Sequence, residues 1–564
     1  MTPSNNGDAA PASRSGLSRF VARRLPIVRW IRGGDAASRR ADVIAGLTVA
    51  AMLVPQGMAY AALAGMPPVT GLYASTVPLV VYALLGTSGQ LAIGPVAIVS
   101  LLTASTLAPL AGGDPGTYVA LAGVLAALVG AVQLTLGLMR AGRLTALLSH
   151  PVISGFTSAA AIVIATSQLD KLFGIDIGDP ESWVERITAI VTGLSATNVA
   201  TLVVGVLAIA GLVLGRRLGS NVPAPLIVVV LATAAVPLFG LDQAGVAVLG
   251  EVPGGFPTPR LPMAPLETIV TLLPGAAIIA LLSYLEGISV ARAIAAKTRD
   301  RVDPDQELIA SGAANLAASV VQAFPVAGGF SRTAVNHSAG ARTPLASIVT
   351  AAGVLLALLV LAPLFTTLPN VVLAAVVLVA VAKLVDVREA VHAWRVESTD
   401  GVSLTVTFLA TLLLGVEVGI GIGVAVSLVL SLWRVGIPRV AVAASRPGEL
   451  RLEVEGELLP ATGTRLLDDI ERQLNAPDQS PVDALVLDLS GVPSADLSGV
   501  QALAVIDDAC RGAGVRLRLA GLREGVRAPL ERAHLLERFI GRIEPARLPA
   551  EDDEPVRPSH AIVR

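Results

Sequence analysis

The sequence LAIGPVAIV at residues 91–99 and the sequence PVAGGFSRTA at residues 325–334 each interrupt an apolar run with glycine or proline. Both then continue in residues that can form a helix. Pro95 suits the first position of a helix, where its missing N–H loses no hydrogen bond. Ser331 suits the N-cap, where a side-chain oxygen accepts from a backbone N–H. The two stretches therefore predict two helices that begin at these points.

Composition identifies the chain as a membrane protein. It has 564 residues, of which 53% are hydrophobic and only 15% are charged, and its mean hydropathy is +0.71. Such values are typical of polytopic membrane proteins. The net charge of −2 says nothing about partners, because charges are concentrated between long uncharged segments. The single cysteine, Cys510, excludes an intramolecular disulfide, and we expect no signal peptide in the first 40 residues.

The two stretches together predict an anion site. A helix that begins inside a bilayer leaves N–H donors that need acceptors, and its start carries roughly half of a positive elementary charge. Two such starts that face each other, with Arg332 at one of them, would attract an anion. The alternative is that both stretches are ordinary kinks or turns. Their matching positions in two similar halves of the chain favour the site.

Apolar runs predict fourteen membrane spans, seven in each half, with a count of twelve as the alternative. The third and the tenth are unusually short and contain the two stretches. The first half has spans near 42–63, 70–87, 95–110, 117–139, 146–168, 197–215 and 224–240. The second half has spans near 268–294, 307–323, 331–340, 344–366, 369–384, 400–415 and 417–434.

Charges between the spans predict the orientation. The loops after even-numbered spans hold most of the cations, and the opposite loops are acidic; examples are Arg140, Arg217, Lys297, Arg342 and Arg388 against Asp170, Asp176, Asp179, Glu181 and Glu251. By the positive-inside rule, both termini are then cytoplasmic. Because seven is odd, the second half crosses the bilayer upside down relative to the first. This arrangement is the inverted repeat of secondary transporters.

The last part of the chain predicts a small soluble α/β domain. Strands at 450–454, 483–489 and 515–520 alternate with helices at 463–474, 497–511 and 525–533. The chain thus has an Arg-rich cytoplasmic segment, a membrane domain of α-helices, the α/β domain and a disordered tail. Their predicted bounds are 1–40, 41–437, 438–548 and 549–564.

Several motifs resemble the sulfate permease (SulP) family. They are DVIAGLT at 42–48, VPQGMAYA at 54–61, PPVTGLY at 67–73, IGP at 93–95, QEL at 306–308 with Gly312 and Asn315, and AGARTP at 339–344. The α/β domain resembles a STAS domain through DLSG at 488–491 and at 496–499. The resemblance implies a core domain that carries substrate between the third and tenth spans and moves against a gate domain. It also implies a dimer, and coupling of the anion to protons, to sodium or to a second anion.

Side chains on two other spans complete the predicted site. Gln56 and Tyr60 are four residues apart, so they share one helix face and can donate hydrogen bonds to an oxyanion. Glu286 lies well inside the eighth span, where a carboxylate costs about 2.5–3.5 kcal/mol and is functional by default. The alternatives are contacts between helices for Gln56 and Tyr60, and a structural partner of Arg332 for Glu286. The predicted substrate-binding residues are Gln56, Tyr60, Pro95, Val96, Ala97, Phe330, Ser331, Arg332 and Thr333.

The balance of charges at the predicted site indicates how Glu286 couples protons to transport. Arg332 and two helix starts give about +2, which a divalent anion neutralises if Glu286 is protonated. If Glu286 is ionised, the anion and the carboxylate repel each other by roughly 4 kcal/mol at 4 Å and an effective dielectric of 20. A bound dianion should therefore draw a proton onto Glu286. A monovalent anion fits beside ionised Glu286, so charge alone leaves the valence open. The resemblance argues against sodium, because the sodium-coupled relatives have a hydroxyl residue where this chain has Val290.

We therefore expect a secondary active transporter in a bacterial inner membrane, which takes up sulfate with protons by an elevator-like mechanism. The same machine moving dicarboxylates or bicarbonate, or exchanging anions, is a close alternative. An uncoupled anion channel and a regulatory protein that acts through the STAS domain are further ones. The expected partners are a sulfate-like anion, protons, the bilayer and a second copy of the chain, and not nucleic acid. We expect neither a cofactor, a metal nor an enzymatic activity.

Overall fold

The computed structural model describes residues 26–27, 30, 35–112, 114–142, 149–178, 180, 182–218, 223–250, 255–256, 258–435, 439–443, 448–474 and 482–545. Most of the predicted segment 1–40 and the whole predicted tail 549–564 lie outside these residues. The chain divides into two compact units, Met1–Ser427 and Leu428–Arg564. The first unit is mostly helical, and the second contains a sheet.

The first half of the helical unit contains helices that follow one another along the chain, with one short strand among them. They are α1 (Ala36–Leu63), α2 (Val69–Tyr73), α3 (Val77–Leu85), β1 (Ile93–Gly94), α4 (Ala97–Leu107), α5 (Pro115–Leu138), α6 (His150–Thr166), α7 (Leu169–Phe173), α8 (Trp183–Gly193), α9 (Val199–Leu218) and α10 (Ala224–Phe239).

The second half has a similar order, and again a two-residue strand precedes a short helix. Its elements are α11 (Leu266–Thr298), α12 (Pro304–Val320), β2 (Ala327–Gly328), α13 (Phe330–Ser338), α14 (Leu345–Val360), α15 (Asn370–Val381), α16 (Val387–Val396), α17 (Ser398–Leu414) and α18 (Val416–Val435). Strands β1 and β2 pair with each other. The membrane domain is mostly helical, as predicted, and these four extended residues are an addition that the sequence did not indicate.

Each predicted span coincides with a described helix, but the span predicted at 70–87 is divided into α2 and α3. Pro78 lies at the start of α3, and a proline there cannot donate the hydrogen bond that would continue α2. By length and apolar composition, four helices of the described chain can each cross a membrane, namely Ala36–Leu63, Pro115–Leu138, His150–Phe173 and Leu266–Thr298. A bent pair, Trp183–Ala196 with Val199–Gly215, would be a fifth. The count of fourteen stays a prediction.

Helix α12 packs tightly on α5 through glycines. A Cβ atom at Gly312 would lie 2.7 Å from the backbone nitrogen of Leu134, and one at Gly130 would lie 2.7 Å from the carbonyl oxygen of Gly312. Small residues allow helix backbones to approach this closely in membrane proteins. The close contact fixes α12 in the interior, where it supports the strands described below.

The second unit is built on a five-stranded sheet in the order β3-β4-β5-β6-β7. Its elements are β3 (Arg439–Val442), β4 (Glu449–Glu455), α19 (Pro460–Leu474), β5 (Ala484–Gly491), α20 (Leu497–Gly512), β6 (Arg516–Ala520), α21 (Glu524–Arg532) and β7 (Ile543–Glu544). Strand β3 is antiparallel to β4, and the other pairs are parallel. The predicted alternation of strands and helices is confirmed. The short edge strands β3 and β7 were not predicted, because four and two residues give too short an apolar pattern.

A buried carboxylate ties α20 to the segment just before β7 in this unit. The Asp507 side chain is fully buried and pairs with Arg542 at 2.6 Å, Arg538 at 2.7 Å and Arg511 at 2.8 Å. Burial alone would raise the pKa of Asp507, but the hydrogen bonds from Arg542 and Arg538 outweigh it and lower the pKa below its usual range. The cluster is therefore stable in its ionised form.

We expect Asp507→Asn to destabilise the second unit by about 2–3 kcal/mol, because the amide loses charge-assisted hydrogen bonds to half-exposed arginines. Hydrogen exchange of 516–520 in the full-length protein measures this. Because the folded pKa is below the unfolded value of about 3.9, the stabilisation is complete above that pH and is lost as the pH falls through the folded value. The exposed Asp468→Asn is the control, and equal exchange in both variants would contradict the prediction.

Candidate functional site

The two stretches predicted to meet lie side by side. Strands β1 and β2 form a two-residue antiparallel ladder, extended by a bond from the Gly329 N–H to the Ala92 carbonyl at 3.2 Å. The ladder pairs are Ile93 with Gly328 and Gly94 with Ala327. Helix α4 begins just after β1 and α13 just after β2, and the first N–H groups of each have no partner within their helix. The structure thus brings two helix starts to one buried place.

Both predicted helix starts are displaced by up to two residues. Val96 is the N-cap of α4, so Pro95 precedes the helix instead of occupying its first position. Gly329 is the N-cap of α13, and Ser331 is the second residue of that helix with an exposed side chain. A Cβ atom at Gly329 would lie 2.8 Å from Nη2 of Arg332. The backbone at Gly329 therefore lies close against the guanidinium of Arg332. The helix begins at this glycine, two residues before Ser331, which was the predicted N-cap.

Arg332 is the central charge of this place. Only 1% of the residue is exposed. Its Nη1 donates to the carbonyl of Pro95 and its Nη2 to the carbonyl of Ala327 at 3.4 Å. Its Nε has no hydrogen-bond partner among the described residues. A buried charge is costly unless it is paired, and the hydrogen-bond acceptors of this one are two neutral backbone carbonyls. The guanidinium is therefore available to an anion.

Gln56 and Tyr60 lie together on α1, as their spacing predicts. Nε2 of Gln56 donates to Oη of Tyr60 at 3.0 Å, and both residues are buried. In this orientation Oε1 of Gln56 is buried without a partner in the described chain. A half-turn of the amide exchanges the two atoms, so that the tyrosine donates to Oε1 and the NH₂ group faces outward. That orientation satisfies the oxygen and offers donors to an anion.

Glu286 lies on α11 beside the second strand. A Cβ atom at Gly328 would lie 2.8 Å from the Cα of Gly287, so α11 and β2 are in direct backbone contact. Glu286 is half-buried as a residue, and its carboxylate interacts electrostatically with Arg332. It accepts no hydrogen bond from any described residue. The predicted carboxylate is thus in electrostatic range of the cation.

The other predicted residues differ in what their side chains can do. Val96 and Ala97 are buried, whereas Phe330 and Ser331 have exposed side chains. The hydroxyl of Thr333 donates to the carbonyl of Gly329 at 2.8 Å and accepts from the N–H of Ala92 at 3.1 Å. Its one proton is used within the fold, so Thr333 holds the strands together instead of offering a donor to an anion.

Comparison with known proteins identifies the family of the chain. The model of the sulfate permease family matches residues 40–407, and the model of the STAS domain matches residues 441–547. The chain belongs to the sulfate permease family. It is 35% identical over 528 residues to a protein of Mycobacterium tuberculosis named as a probable sulfate transporter, covering 91% of this chain and 93% of that one. It is 38% identical over 452 residues to sulfate transporter 4.1, chloroplastic, of Arabidopsis thaliana, covering 78% of this chain and 66% of that one.

Solved structures of transporters have the same fold. The murine Solute Carrier 26 family member A9 anion transporter, in its inward-facing state, superposes with a TM-score of 0.87 at 26% identity and covers 97% of this chain and 98% of that one. The transmembrane domain of a cyanobacterium bicarbonate transporter superposes with a TM-score of 0.62 at 20% identity and covers 70% of this chain and 98% of that one. This second likeness concerns the fold alone. The chain is thus a multi-pass membrane transporter of the sulfate permease family with a STAS domain.

Two residues that support the site have no predicted role, although both lie in the motif that resembles this family. Glu307, at the start of α12, is buried and accepts four hydrogen bonds, from the hydroxyl of Tyr82, from the N–H and hydroxyl of Thr87 and from the N–H of Ser88, at 2.6–3.2 Å. An ionised carboxylate can accept all four. Glu307 therefore fixes the loop that leads into β1.

Asn315, two helical turns further along α12, fixes the second strand. Its side chain donates to the carbonyl of Val326 at 3.1 Å and accepts from the N–H of Val326 at 2.8 Å. It also donates to Gln133 of α5 at 3.0 Å, and Gln133 donates to Ser283 at 2.8 Å. Because Ser283 is three residues from Glu286, the network extends to the helix of the carboxylate. One helix, α12, thus supports both strands of the site.

We expect Glu307→Gln to loosen the loop before β1. The amide presents an NH₂ group where N–H donors need an acceptor, and a buried donor without an acceptor costs about 1–3 kcal/mol. Faster hydrogen exchange at Thr87 and Ser88 in the detergent-solubilised protein would measure the loss. The exposed carboxylate of Glu267, at the start of α11, supplies the control variant Glu267→Gln. Unchanged protection at the two amides would contradict a structural role of Glu307.

Proposed function

We propose that the chain is a secondary active transporter that takes up an inorganic oxyanion, sulfate first, together with protons. Its relatives named as sulfate transporters support the substrate class. The observation that carries the proposal is the guanidinium of Arg332, which is buried between two strand ends with Nε unpartnered among the described residues. A permanent cation in that position needs an anion, and two helix starts add to its attraction.

Each residue of the site has a chemical task in this proposal. Arg332 supplies the full positive charge, and the first N–H groups after Pro95 and after Gly329 supply neutral donors. Gln56 and its partner Tyr60 close the site from α1. The Gln56 amide has the orientation in which Tyr60 donates to its Oε1 and its NH₂ group faces outward. A tetrahedral oxyanion suits such a set, because its oxygens accept from several directions at once.

Glu286 couples protons to the anion in this proposal. A divalent anion beside Arg332 and two helix starts is neutralised when Glu286 carries a proton. When Glu286 is ionised, the site has an excess negative charge, which low local dielectric makes costly. Anion and proton therefore favour each other's binding, and this mutual preference is the thermodynamic condition for symport.

The proposed architecture is the one that the sequence predicts. We propose fourteen spans as a seven-plus-seven inverted repeat within residues 41–437, a STAS domain at 438–548, and cytoplasmic termini in a bacterial inner membrane. The antiparallel pairing of β1 with β2, which have corresponding places in the two halves, supports an inverted relation. We also propose a homodimer and an elevator-like movement of the core against the gate. The protein is a transporter without catalytic activity.

Arg332→Ala is expected to abolish saturable sulfate uptake into proteoliposomes. Removal of one charged donor that makes two or more hydrogen bonds to a buried anion costs about 3 kcal/mol, a loss of roughly a hundredfold in affinity. Arg332→Lys keeps the charge without the fork of donors, so it should retain part of the uptake. Arg395→Ala, which removes an exposed arginine, is the control for the loss of a positive charge. Near-normal uptake by a folded Arg332→Ala protein would exclude Arg332 from the site.

Glu286→Gln is expected to remove the dependence of uptake on the proton gradient. The amide imitates the protonated carboxyl permanently, so the anion can bind and exchange without a proton. Wild-type uptake should increase as the external pH falls, and the variant should be nearly independent of pH. Glu286→Asp, which keeps a titratable group, is the matched control. A variant that still accumulates sulfate against its gradient when driven by protons would defeat the coupling role.

A further inference from the structure

Helix α16 joins two apolar helices of the membrane domain. The preceding helix, α15, ends at Val381, and the following one, α17, begins at Ser398. Only Glu397 separates the end of α16 from the start of α17, so the two helices meet at the same level. The ten residues of α16 extend for about 15 Å, which is too short to span a bilayer. The helix therefore lies close to the surface of the membrane.

One side of α16 exposes a row of apolar side chains. Val387, Val391 and Trp394 have exposed fractions of 68%, 45% and 49%. Their positions are i, i+4 and i+7, which form one stripe along a helix. Ala393, on another side of the helix, is only 6% exposed. The apolar row thus points away from the packed interior, as it does in helices that lie in a membrane interface.

A row of basic residues lies beside the apolar one. Arg388, His392 and Arg395 repeat the same spacing one residue later along the helix, and all three are exposed. Within the described part of the chain, neither arginine forms an ion pair or a side-chain hydrogen bond. The planar fork of a guanidinium suits phosphate oxygens, which accept two of its N–H groups at once. Two such groups beside an apolar row are therefore suited to phospholipid headgroups.

Contacts with α6 and α17 fix the direction in which α16 presents the two rows. Nδ1 of His150, at the start of α6, lies 3.2 Å from the carboxylate of Glu389. The indole N–H of Trp394 donates to the hydroxyl of Thr405 on α17 at 3.1 Å. A Cβ atom at Gly401 of α17 would clash with the same indole ring, so the ring packs directly on that helix. The two rows are thus held in one orientation.

We propose that α16 is a membrane-surface helix that binds anionic phospholipids. Its apolar row lies among the upper parts of the acyl chains, and Arg388 and Arg395 contact the headgroup phosphates. The positive-inside rule predicts that this loop is cytoplasmic, and anionic lipids on that side attract cations next to membrane helices. The lipid site is separate from the site at Arg332, and no step of transport passes through it. The inference therefore does not depend on which anion the chain carries.

The first test measures the depth of each row. The native Cys510 is buried and is replaced by alanine, and nitroxide labels are placed on Val391→Cys and His392→Cys in the full-length protein. The labelled proteins are studied in nanodiscs of phosphatidylcholine with phosphatidylglycerol. Oxygen concentrates in the acyl region, so it should reach the label at 391 better than the label at 392, and a water-soluble nickel chelate should show the reverse order.

Two results of the depth measurement would overturn the proposal. High access of the nickel chelate at both positions would place α16 in water. Low access of both reagents at 391 would show that protein covers the apolar row, as a second copy of the chain or its own second unit would.

The second test measures the choice of lipid. A bimane fluorophore on Val391→Cys is quenched by brominated lipids that lie next to it. Brominated phosphatidylglycerol should bind there roughly tenfold better than brominated phosphatidylcholine at low ionic strength, and salt should reduce this preference because it screens the charges. Equal quenching by the two lipids at low ionic strength would overturn the proposal.

Paired variants assign the preference to the basic row. Arg388→Gln combined with Arg395→Gln should bring the ratio of the two affinities close to one. Arg516→Gln combined with Arg532→Gln removes two exposed arginines from the second unit and should leave the ratio unchanged. A preference that survives in the first pair, or that falls equally in both pairs, would show that the arginines of α16 do not bind the headgroups.

Discussion

The structure depends on a permanent positive charge that is kept in the interior by backbone groups. Arg332 reaches across from the start of α13 to the carbonyl of Pro95 in the other half of the chain. Burial of a guanidinium is unfavourable unless hydrogen bonds and counter-charge compensate for it. Carbonyl dipoles and the electrostatic attraction of Glu286 provide part of that compensation, and in the proposed function a bound anion provides the rest. The ladder of β1 and β2 keeps both helix starts beside this cation.

Such a site requires a rigid support, and α12 provides it. Glu307 holds the loop before β1 through four hydrogen bonds, while Asn315 binds both backbone groups of Val326 before β2. Both anchors lie on one helix that is packed against α5 at glycine contacts. The polar backbone of two interrupted spans is thereby satisfied in a region where water is scarce. The proposed site therefore depends on a helix that contributes none of the proposed substrate-binding residues.

Sequence reasoning predicted the elements that have strong local signals. Apolar runs located the helices, and Gly and Pro marked the two short helices whose starts lie side by side, because each of these signals lies within one short segment. The ladder was not predictable, since two residues per strand show no periodicity. The role of Glu307 was hidden as well, because its partners are about 220 residues away in sequence and two are backbone N–H groups. Ser331 was misplaced as a cap because the closeness of Gly329 to the guanidinium is a tertiary constraint.

The rigidity of the site limits how transport can occur. The strands of this site are fixed to each other and to α12. A local rearrangement that opened the site alternately to the two sides of the membrane would break several of these buried hydrogen bonds. Each of them costs about 1–3 kcal/mol when left unmade. A movement of β1, β2 and α12 together, as one rigid group, breaks none of these hydrogen bonds. The proposal of an elevator-like movement rests on this rigidity of the strands and their supporting helix.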